Sequence, residues 1–327
     1  PISSVCFLNT TPTKVTVIAP ARLHMGFIDL SGSLNRYFGS IGLALNDFET
    51  KLSLTASYRS YVNAQAPERT QQCVQQLCQK LGVSDQVHVD VQSAIPAHIG
   101  LGSGTQLALA VGMALNVFYQ LDLSIRDIAH LTDRGGRSGI GIGVFEKGGL
   151  VVDGGRGKQT ITPPVLVQMS VPEDWRFILL LDRRGQGLHG DGEIQAFKKL
   201  PPFSKEEAAR LCYLLLMQGL PAVAEQNLDE FGAVITQLQR SVGDYFAPAQ
   251  GGAFTSREVG EVMAWCSRKG AVAIGQTSWG PTGFCAVSND QQASELVSAA
   301  KQRFKNLVNL DYVITRATNQ GARIIVE

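Results

Sequence analysis

The sequence has almost no net charge and no long apolar run. Lys and Arg together number 29 and Asp and Glu 28, which gives a formal net charge of +1. This balance provides no sustained positive field for a polyanion, so we expect no binding to nucleic acid. The longest apolar stretches, such as FILLL at 177–181, are far shorter than the roughly 20 residues of a membrane helix. The N-terminal residues also lack a charged region followed by an apolar one, so the sequence predicts a cytoplasmic protein without membrane contact.

Metal-binding and disulfide patterns are also missing. The six cysteines include no C-x-x-C pair, and the five histidines show no ligand spacing with them. This distribution favours reduced thiols in a reducing compartment. It leaves the ligands of any metal ion unknown.

Glycine, in contrast, is abundant. The chain has 34 glycines in 327 residues, which is about a tenth of the sequence against a usual share of about 7%. They cluster in a few segments, and it is in these segments that we look for function. With 44% hydrophobic residues, the chain is long enough for one large or two medium domains.

The order of the predicted elements indicates an α+β protein rather than a doubly wound parallel sheet. Alternating or apolar stretches predict strands, and apolar residues at helical spacing predict helices. The predicted strands are 14–19, 51–57, 86–93, 176–182 and 283–288. The predicted helices are 105–119, one that begins at Ser124, 204–218 with a capping box of Ser204 and Glu207, 221–240, 256–268 and 290–304. We expect a domain boundary within 163–175.

The most informative segment is IPAHIGLGSGTQLALAVGMALN at 95–116. A strand is followed by a loop with Gly100, Gly102 and Gly104, and an amphipathic helix begins at once. Glycines let backbone N–H groups converge, and a helix N-terminus adds unpaired donors and partial positive charge. Together with the hydroxyls of Ser103 and Thr105, these features predict a phosphate site. No Walker lysine follows, so the loop is not a P-loop.

A second glycine-rich segment spans 133–158 and contains Arg134 and Arg137. Arginine suits phosphate or carboxylate because its planar guanidinium donates two parallel hydrogen bonds. The alternative interpretation is a set of glycine-rich hairpins with solvated arginines. The segment also offers Asp133, Glu146 and Asp153 as candidates for holding a metal or stabilising a cation.

Three other segments carry candidate residues. The loop at 273–287 offers Thr277 and Ser278, and its Trp279 either stacks on an aromatic ring or fills space between domains. The segment 21–45 places polar groups in an otherwise apolar, glycine-punctuated stretch; these are Arg22, His24, Asp29 and Arg36. The stretch 182–197 follows a predicted strand and contains Asp191 and Glu193, which either act in the site or only open a helix.

These segments resemble the GHMP kinase superfamily. Its P-x-x-x-G-L-G-S-S-A loop corresponds here to PAHIGLGSGT at 96–105. Within the superfamily, the sequence is most similar to the family of β-ribofuranosylaminobenzene 5′-phosphate synthases of methanopterin biosynthesis, through RLHMGFIDLSGSL, GLGSGTQLALAVG, RSGIGIGVFEKGG and SWGPT. The resemblance implies a two-domain α+β fold, with a ribosomal-protein-like N-terminal domain at 1–170 and a ferredoxin-like C-terminal domain at 171–327.

The sequence departs from the kinase pattern at two positions. Kinases of the mevalonate type place an aspartate two residues after a Ser-Gly pair, but Gly141 occupies that position after Ser138 and Gly139. Gly104 replaces a metal-binding serine of the kinase loop. Because no other group is evident that activates an alcohol for attack on ATP, we do not expect kinase activity.

The resemblance implies a decarboxylating transfer from phosphoribosyl pyrophosphate to 4-aminobenzoate or 4-hydroxybenzoate, with Mg²⁺ on the diphosphate. A carboxylate would stabilise the ribosyl cation. The catalytic candidates are Asp29, Glu193 and His24. The phosphate-binding candidates are Gly100, Gly102, Ser103, Gly104, Thr105, Arg22, Arg134 and Arg137. The candidates for the aromatic substrate are Trp279, Thr277 and Ser278.

Two other functions compete with the synthase. One is an ATP-dependent kinase of a small alcohol, since such enzymes are the larger population of the superfamily. The other is a non-catalytic RNA-binding protein, against which the near-neutral charge argues. The resemblance also implies a homodimer.

Overall fold

The computed structural model describes residues 12–65, 67–185, 200–277 and 280–327. Within them, strands form two sheets. The first has seven strands, in which β11-β1-β2-β4-β3 are neighbours and β5 joins β2 to β6. Its strands are β1 (Lys14–Asp29), β2 (Phe38–Ala56), β3 (Tyr61–Asn63), β4 (Val87–Ser93), β5 (Leu150–Asp153), β6 (Val165–Met169) and β11 (Arg323–Val326).

The long antiparallel pair of β1 and β2 organises this sheet. It runs from Lys14 opposite Thr55 to Asp29 opposite Phe38. The alternation at 14–19 predicts only the first third of β1. From Val15 onward nearly the whole strand is buried on both faces, so alternation is not required and none marks the part beyond Pro20. The pairing of β1 and β2 has two register shifts, one between Pro20 and Ala21 and one between His24 and Gly26. The second bends the strand where the candidate residues lie.

Four helices belong to the first half of the chain: α1 (Pro67–Leu81), α2 (Ser103–Phe118), α3 (Ile125–Leu131) and α4 (Ile140–Lys147). The predicted α2 is confirmed, and it begins two residues earlier than expected. It packs on β1 and β2 and is covered by α1, α3 and α4, which explains why nearly all of it is buried. The glycine-rich segment 133–158 contains α4 and β5 rather than only hairpins.

The second sheet confirms the ferredoxin-like expectation. Its four antiparallel strands have the order β10-β7-β9-β8, and along the chain strands and helices follow the β-α-β-β-α-β arrangement. The strands are β7 (Arg176–Asp182), β8 (Val272–Gln276), β9 (Gly283–Val287) and β10 (Leu310–Thr315). The helices are α5 (Lys205–Leu214), α6 (Leu220–Ala224), α7 (Leu228–Gln250), α8 (Arg257–Arg268) and α9 (Asp290–Arg303), with a π-helical turn at Leu215–Gly219 between α5 and α6.

The predicted helices 204–218 and 221–240 have different limits in the structure. The helical conformation is interrupted after α6. The Asn227 side chain accepts a hydrogen bond from the Glu230 N–H, and α7 starts there. The Ser204 Oγ accepts from the Glu207 N–H at 3.1 Å, as expected. The Glu207 carboxylate, however, accepts from Arg210 and Ser241, so only half of the predicted capping box forms.

The two halves share one apolar core. Leu23 of β1, Phe177 of β7, Phe231 of α7 and Phe284 of β9 belong to the same buried cluster. The last strand, β11, returns to the first sheet beside β1, although it follows the second sheet in sequence. A division of the chain near residue 170 stays a prediction. None of the helices in the described ranges is long and apolar enough to cross a membrane.

Candidate active site

The N-terminus of α2 is open to an anion. Its N-cap is Gly102, and no side chain of the described residues accepts from the first N–H groups. In five other helices the side chain of the N-cap residue accepts a hydrogen bond from a first-turn N–H. These N-cap residues are Ser124, Ser204, Asn227, Ser256 and Asn289. Unpaired N–H groups and the helix dipole favour negative charge at the end of α2. The loop therefore has the arrangement that its sequence predicts for phosphate.

The loop lies against β1 through two glycines. Gly100 and Gly102 both have φ +81°, a conformation that disfavours side chains. A Cβ on Gly102 would lie 2.7 Å from the Arg22 Cγ. Arg22 Nη1 donates to the Gly100 carbonyl at 3.0 Å, and its backbone N–H donates to the Leu101 carbonyl at 3.1 Å. Arg22 thus holds the loop, as well as being a candidate for phosphate.

The loop after β8 meets the same point. The Thr277 hydroxyl donates to the Gly100 carbonyl at 2.8 Å and accepts from the His24 N–H at 3.2 Å. A Cβ on Gly280 would lie 2.9 Å from the Ile99 carbonyl oxygen. Three distant segments, β1, the 100–105 loop and the 277–283 loop, are therefore in backbone contact. The buried Thr277 joins them, and its contact with an aromatic substrate stays a prediction.

Two arginines converge on the start of α2. A Cβ on Gly104 would collide with the Arg69 guanidinium and lie 3.3 Å from Nη1 of Arg134. In the described part of the chain, neither side chain forms an ion pair with a carboxylate. Burial and the nearby charge of Arg134 lower the pKa of Arg69. Two like charges held this close favour an anion between them.

The same arginines line a cavity of about 140 Å³ between α1 and α2, and Lys80 completes its basic wall. Sequence reasoning missed Arg69, because it lies on α1, 35 positions before Gly104, and no local pattern marks it. Arg137 lies half-buried in the loop before α4 and has bonding partners of its own.

Position 141 has no room for a carboxylate. A Cβ on Gly141 would lie 2.9 Å from the Thr105 Cγ2, and the Gly141 carbonyl accepts from the Gln106 Nε2 at 2.9 Å. The first turns of α2 and α4 therefore pack directly on each other. The side chain that kinases place here is excluded by contact, in addition to being absent.

Asp153 closes the N-terminus of α4. Its buried carboxylate accepts from the Gly139 N–H at 2.9 Å, from the Ser138 hydroxyl at 3.2 Å, from the Gly155 N–H at 2.8 Å and from the Ser40 hydroxyl. Burial outweighs these bonds and raises its pKa. With these bonds Asp153 fixes the loop before α4.

The other acidic candidates of that segment lie apart from Asp153. Asp133 forms an exposed ion pair with Lys80 at 3.0 Å, and Glu146 lies in the last turn of α4. In the described ranges no three His, Cys, Asp or Glu side chains form a group that could hold a metal ion.

His24 is buried, at 2% exposure, and neither ring nitrogen has a hydrogen-bond partner in the described structure. Its ring packs edge-on against Phe27 and borders a cavity of about 20 Å³. Burial, with the charge of Arg22, holds the pKa of His24 well below its usual range. The side chain is therefore a neutral imidazole near pH 7, which can accept a proton but has none to give as an imidazolium.

Asp29 lies at the other end of β1. Its Oδ1 accepts from the backbone N–H and the hydroxyl of Ser31, at 2.8 and 2.6 Å. It lies seven positions beyond Arg22, at most about 23 Å along an extended strand, and the register shift between His24 and Gly26 lies between them. Asp29 and Arg36 instead border an apolar cavity of about 310 Å³. The candidates Glu193, Ser278 and Trp279, with Asp191, lie outside the described residues.

Comparisons with known proteins agree with this geometry. Residues 68–146 match the GHMP kinases N terminal domain and residues 220–306 the GHMP kinases C terminal domain. A β-ribofuranosylphenol 5′-phosphate synthase of Archaeoglobus fulgidus is 34% identical over 94% of this chain and 98% of its own length. The protein of that name from Methanocaldococcus jannaschii is 37% identical over 67% of this chain and 75% of its own.

Solved structures show the same fold at low identity. A homoserine kinase from Cytophaga hutchinsonii superposes with a TM-score of 0.67 at 15% identity, over 98% of this chain and 99% of that one. A mevalonate diphosphate decarboxylase from Staphylococcus aureus gives 0.66 at 16% identity, over 96% and 98%. At such identities the likeness concerns the fold alone.

The contact of the two loops can be tested at Gly100. We expect Gly100→Ala to lower the free energy of unfolding by about 1–3 kcal/mol more than Gly82→Ala, because the new methyl group meets Thr277. Gly82 is the matched control, since it also has a positive φ, +67°, but has no atom within 4 Å of its Cβ position. Urea denaturation of both variants measures the difference. Equal losses would show that the loops are not in contact.

The burial of His24 predicts a pH dependence. The unfolded chain binds a proton at His24 below about pH 6.5 and the folded chain does not, so acid favours unfolding. We expect the free energy of unfolding to fall by at most about 1.4 kcal/mol per pH unit below pH 6.5 from this group. His24→Asn should remove that part of the slope between pH 7.5 and 5.5. An unchanged slope in urea titrations would contradict the assignment.

Proposed function

The chain belongs to the GHMP kinase superfamily and, within it, to the family of β-ribofuranosylphenol 5′-phosphate synthases, and we propose that it transfers the ribosyl 5-phosphate unit of phosphoribosyl pyrophosphate to an aromatic acid. The relatives are named as synthases of a ribofuranosylphenol, and a phenol product favours 4-hydroxybenzoate as the acid. The second candidate is 4-aminobenzoate. The product is an early intermediate of the methanopterin coenzymes.

The observation that carries this proposal is the contact of Gly141 with Thr105. Among the described residues it leaves an open anion site at α2 and no carboxylate beside it to activate an alcohol. Such a site suits a substrate whose diphosphate must be held as it leaves. An ATP-dependent kinase, the alternative from the sequence, would lack the aspartate at position 141 that assists its proton transfer.

The reaction needs little acid or base chemistry. As the bond from ribose C1 to the diphosphate oxygen breaks, its electron pair leaves on the diphosphate. The ring carbon that carries the carboxylate forms the new bond to C1, assisted by electron donation from the para substituent. The bond to the carboxylate then breaks and returns its electron pair to the ring, which releases CO2. No proton is gained or lost overall, so orientation of two substrates is the main task.

The positively charged residues of this site and its neutral or acidic residues have different proposed roles. Arg69, Arg134 and the N–H groups of the first α2 turn would stabilise the departing diphosphate. His24, as a neutral imidazole, adds no positive charge next to the developing ribosyl cation. Asp29 remains the described carboxylate that we propose for that cation, and Glu193 is the second candidate.

Magnesium would enter with the substrate. The described residues include no group of three His, Cys, Asp or Glu side chains that could hold a metal ion. We expect Mg²⁺ to accompany phosphoribosyl pyrophosphate, bound to its diphosphate oxygens, because Mg²⁺ is commonly held by substrate phosphates with few protein ligands. The homodimer that the resemblance implies stays a prediction.

A two-arm incubation tests the function. The protein is mixed with phosphoribosyl pyrophosphate, Mg²⁺ and each benzoate labelled at its carboxyl carbon, and in parallel with ATP and candidate alcohols, the small alcohols that related kinases phosphorylate. We expect benzoate-dependent release of labelled CO2 in the first arm and no ADP in the second. Production of ADP without release of CO2 would contradict the proposal.

Arg69 tests the phosphate site. We expect Arg69→Ala to raise the KM for phosphoribosyl pyrophosphate roughly 10- to 100-fold, the loss of a charged hydrogen bond, with the KM for the benzoate little changed. Arg59→Ala is the matched control, because it removes the same charge from an exposed position that does not line the cavity at the start of α2. Steady-state kinetics of both variants give the comparison. Equal effects would show a general loss of positive charge rather than a contact.

A further inference from the structure

The largest apolar cavity described above, about 310 Å³ in volume, lies between the ends of β1 and β2 and the π-helical turn of the second half. Its wall is formed mainly by carbon atoms of side chains such as Phe38, Val167 and Leu215. An apolar cavity of roughly 150 Å³ is enough to bind benzene. The volume here therefore admits a benzene ring with two substituents.

Apolar side chains also surround the mouth of this cavity in contact with water. Leu166 of β6 is 64% exposed and Leu216 of the π-helical turn is 62% exposed, and Leu34 lies beside them. They come from three separate parts of the chain and converge on one opening. Leaving such a set exposed is unfavourable unless an apolar group covers it.

Besides Asp153, two charged side chains of opposite sign lie in the wall. Asp29 is held by its two bonds from Ser31 and retains Oδ2 as an acceptor. Arg36 is held through Nη1, which donates to the carbonyls of Gly154 and Gly155 at 3.0 and 2.9 Å. A carboxylate suits a hydroxyl or amino donor and a guanidinium suits a carboxylate. A para-hydroxy- or para-aminobenzoate carries both groups on one flat ring.

The cavity is connected to the phosphate site by the start of α4. Asp153 belongs to the cavity wall and bonds to the Gly139 N–H, and Gly141, two residues along the helix, contacts Thr105 of the phosphate loop. Two helical residues rise only about 3 Å. The start of α4 therefore lies between the cavity wall and the phosphate loop.

We propose that this cavity binds the aromatic acid, with its ring between the apolar walls and its polar substituents directed to Asp29 and Arg36. The inference rests on the proposed function and adds a substrate subsite to the one predicted at Thr277. It assigns Asp29 to the para substituent, so that Glu193 becomes the carboxylate proposed for the ribosyl cation. Because Arg36 is exposed, its attraction for the carboxylate is weak. Arg36 therefore guides the acid without opposing the loss of CO2.

A charge placed at the mouth tests the subsite. Leu166→Glu puts a carboxylate next to an anionic ligand, whereas Leu166→Gln has nearly the same shape and no charge. We expect Leu166→Glu to weaken 4-hydroxybenzoate binding at least about tenfold, which corresponds to roughly 1.4 kcal/mol, and Leu166→Gln much less. Leu216→Glu should repeat the effect from the opposite wall. Ile161→Glu, exposed at 59% and outside the cavity, is the control for added charge.

Binding is measured by calorimetry in the presence of diphosphate and Mg²⁺, and the KM values for both substrates are measured beside it. We expect the KM for the benzoate to rise and that for phosphoribosyl pyrophosphate to stay constant. Unchanged benzoate binding in both glutamate variants, with CO2 still released, would overturn the subsite and leave the proposed function intact. So would a change in sedimentation mass without a change in benzoate affinity, because the mouth would then be an interface between copies. Absence of CO2 with the unaltered protein would overturn the function itself.

Discussion

The contact of the Gly100 backbone with the Thr277 loop determines the geometry of the whole site. One threonine hydroxyl joins the phosphate loop to β1, and Gly280 lets the loop after β8 approach to within van der Waals distance. This contact is where the second half of the chain meets the phosphate loop of the first. Because Gly100 and Gly102 tolerate the required φ angles, the start of α2 can remain uncapped beside Arg22.

The two helices at the site have opposite electrostatic roles. The N-terminus of α4 is neutralised by the buried carboxylate of Asp153, so it offers nothing to a second anion. The N-terminus of α2 has no such carboxylate and is flanked by Arg69 and Arg134 instead. In the described residues, a fold shared with kinases thereby presents an open anion site without a carboxylate at position 141. This combination suits a substrate that already carries its leaving group, such as a sugar diphosphate.

Local patterns in the sequence predicted much of this arrangement. The glycines before a helical periodicity indicated the phosphate loop, and the family resemblance gave both domains of the fold. Arg69 could not be found in this way, because only tertiary packing of α1 brings it to Gly104. The limits predicted for the helices 204–218 and 221–240 were wrong, since the cap at Asn227 starts a new helix inside the second of them. The structural role of Asp153 also depends on a strand pairing that joins positions 40 and 153, more than a hundred residues apart.

The central claim is that diphosphate binds at the uncapped start of α2. Its most direct test is the change of backbone amide NMR signals when inorganic diphosphate and Mg²⁺ are added to the protein. We expect the largest shifts at the amides of Ser103, Gly104 and Thr105, together with the guanidinium signals of Arg69 and Arg134. The account is contradicted if these signals stay unchanged while others shift, above all those of Gly139 and Ile140 at the start of α4.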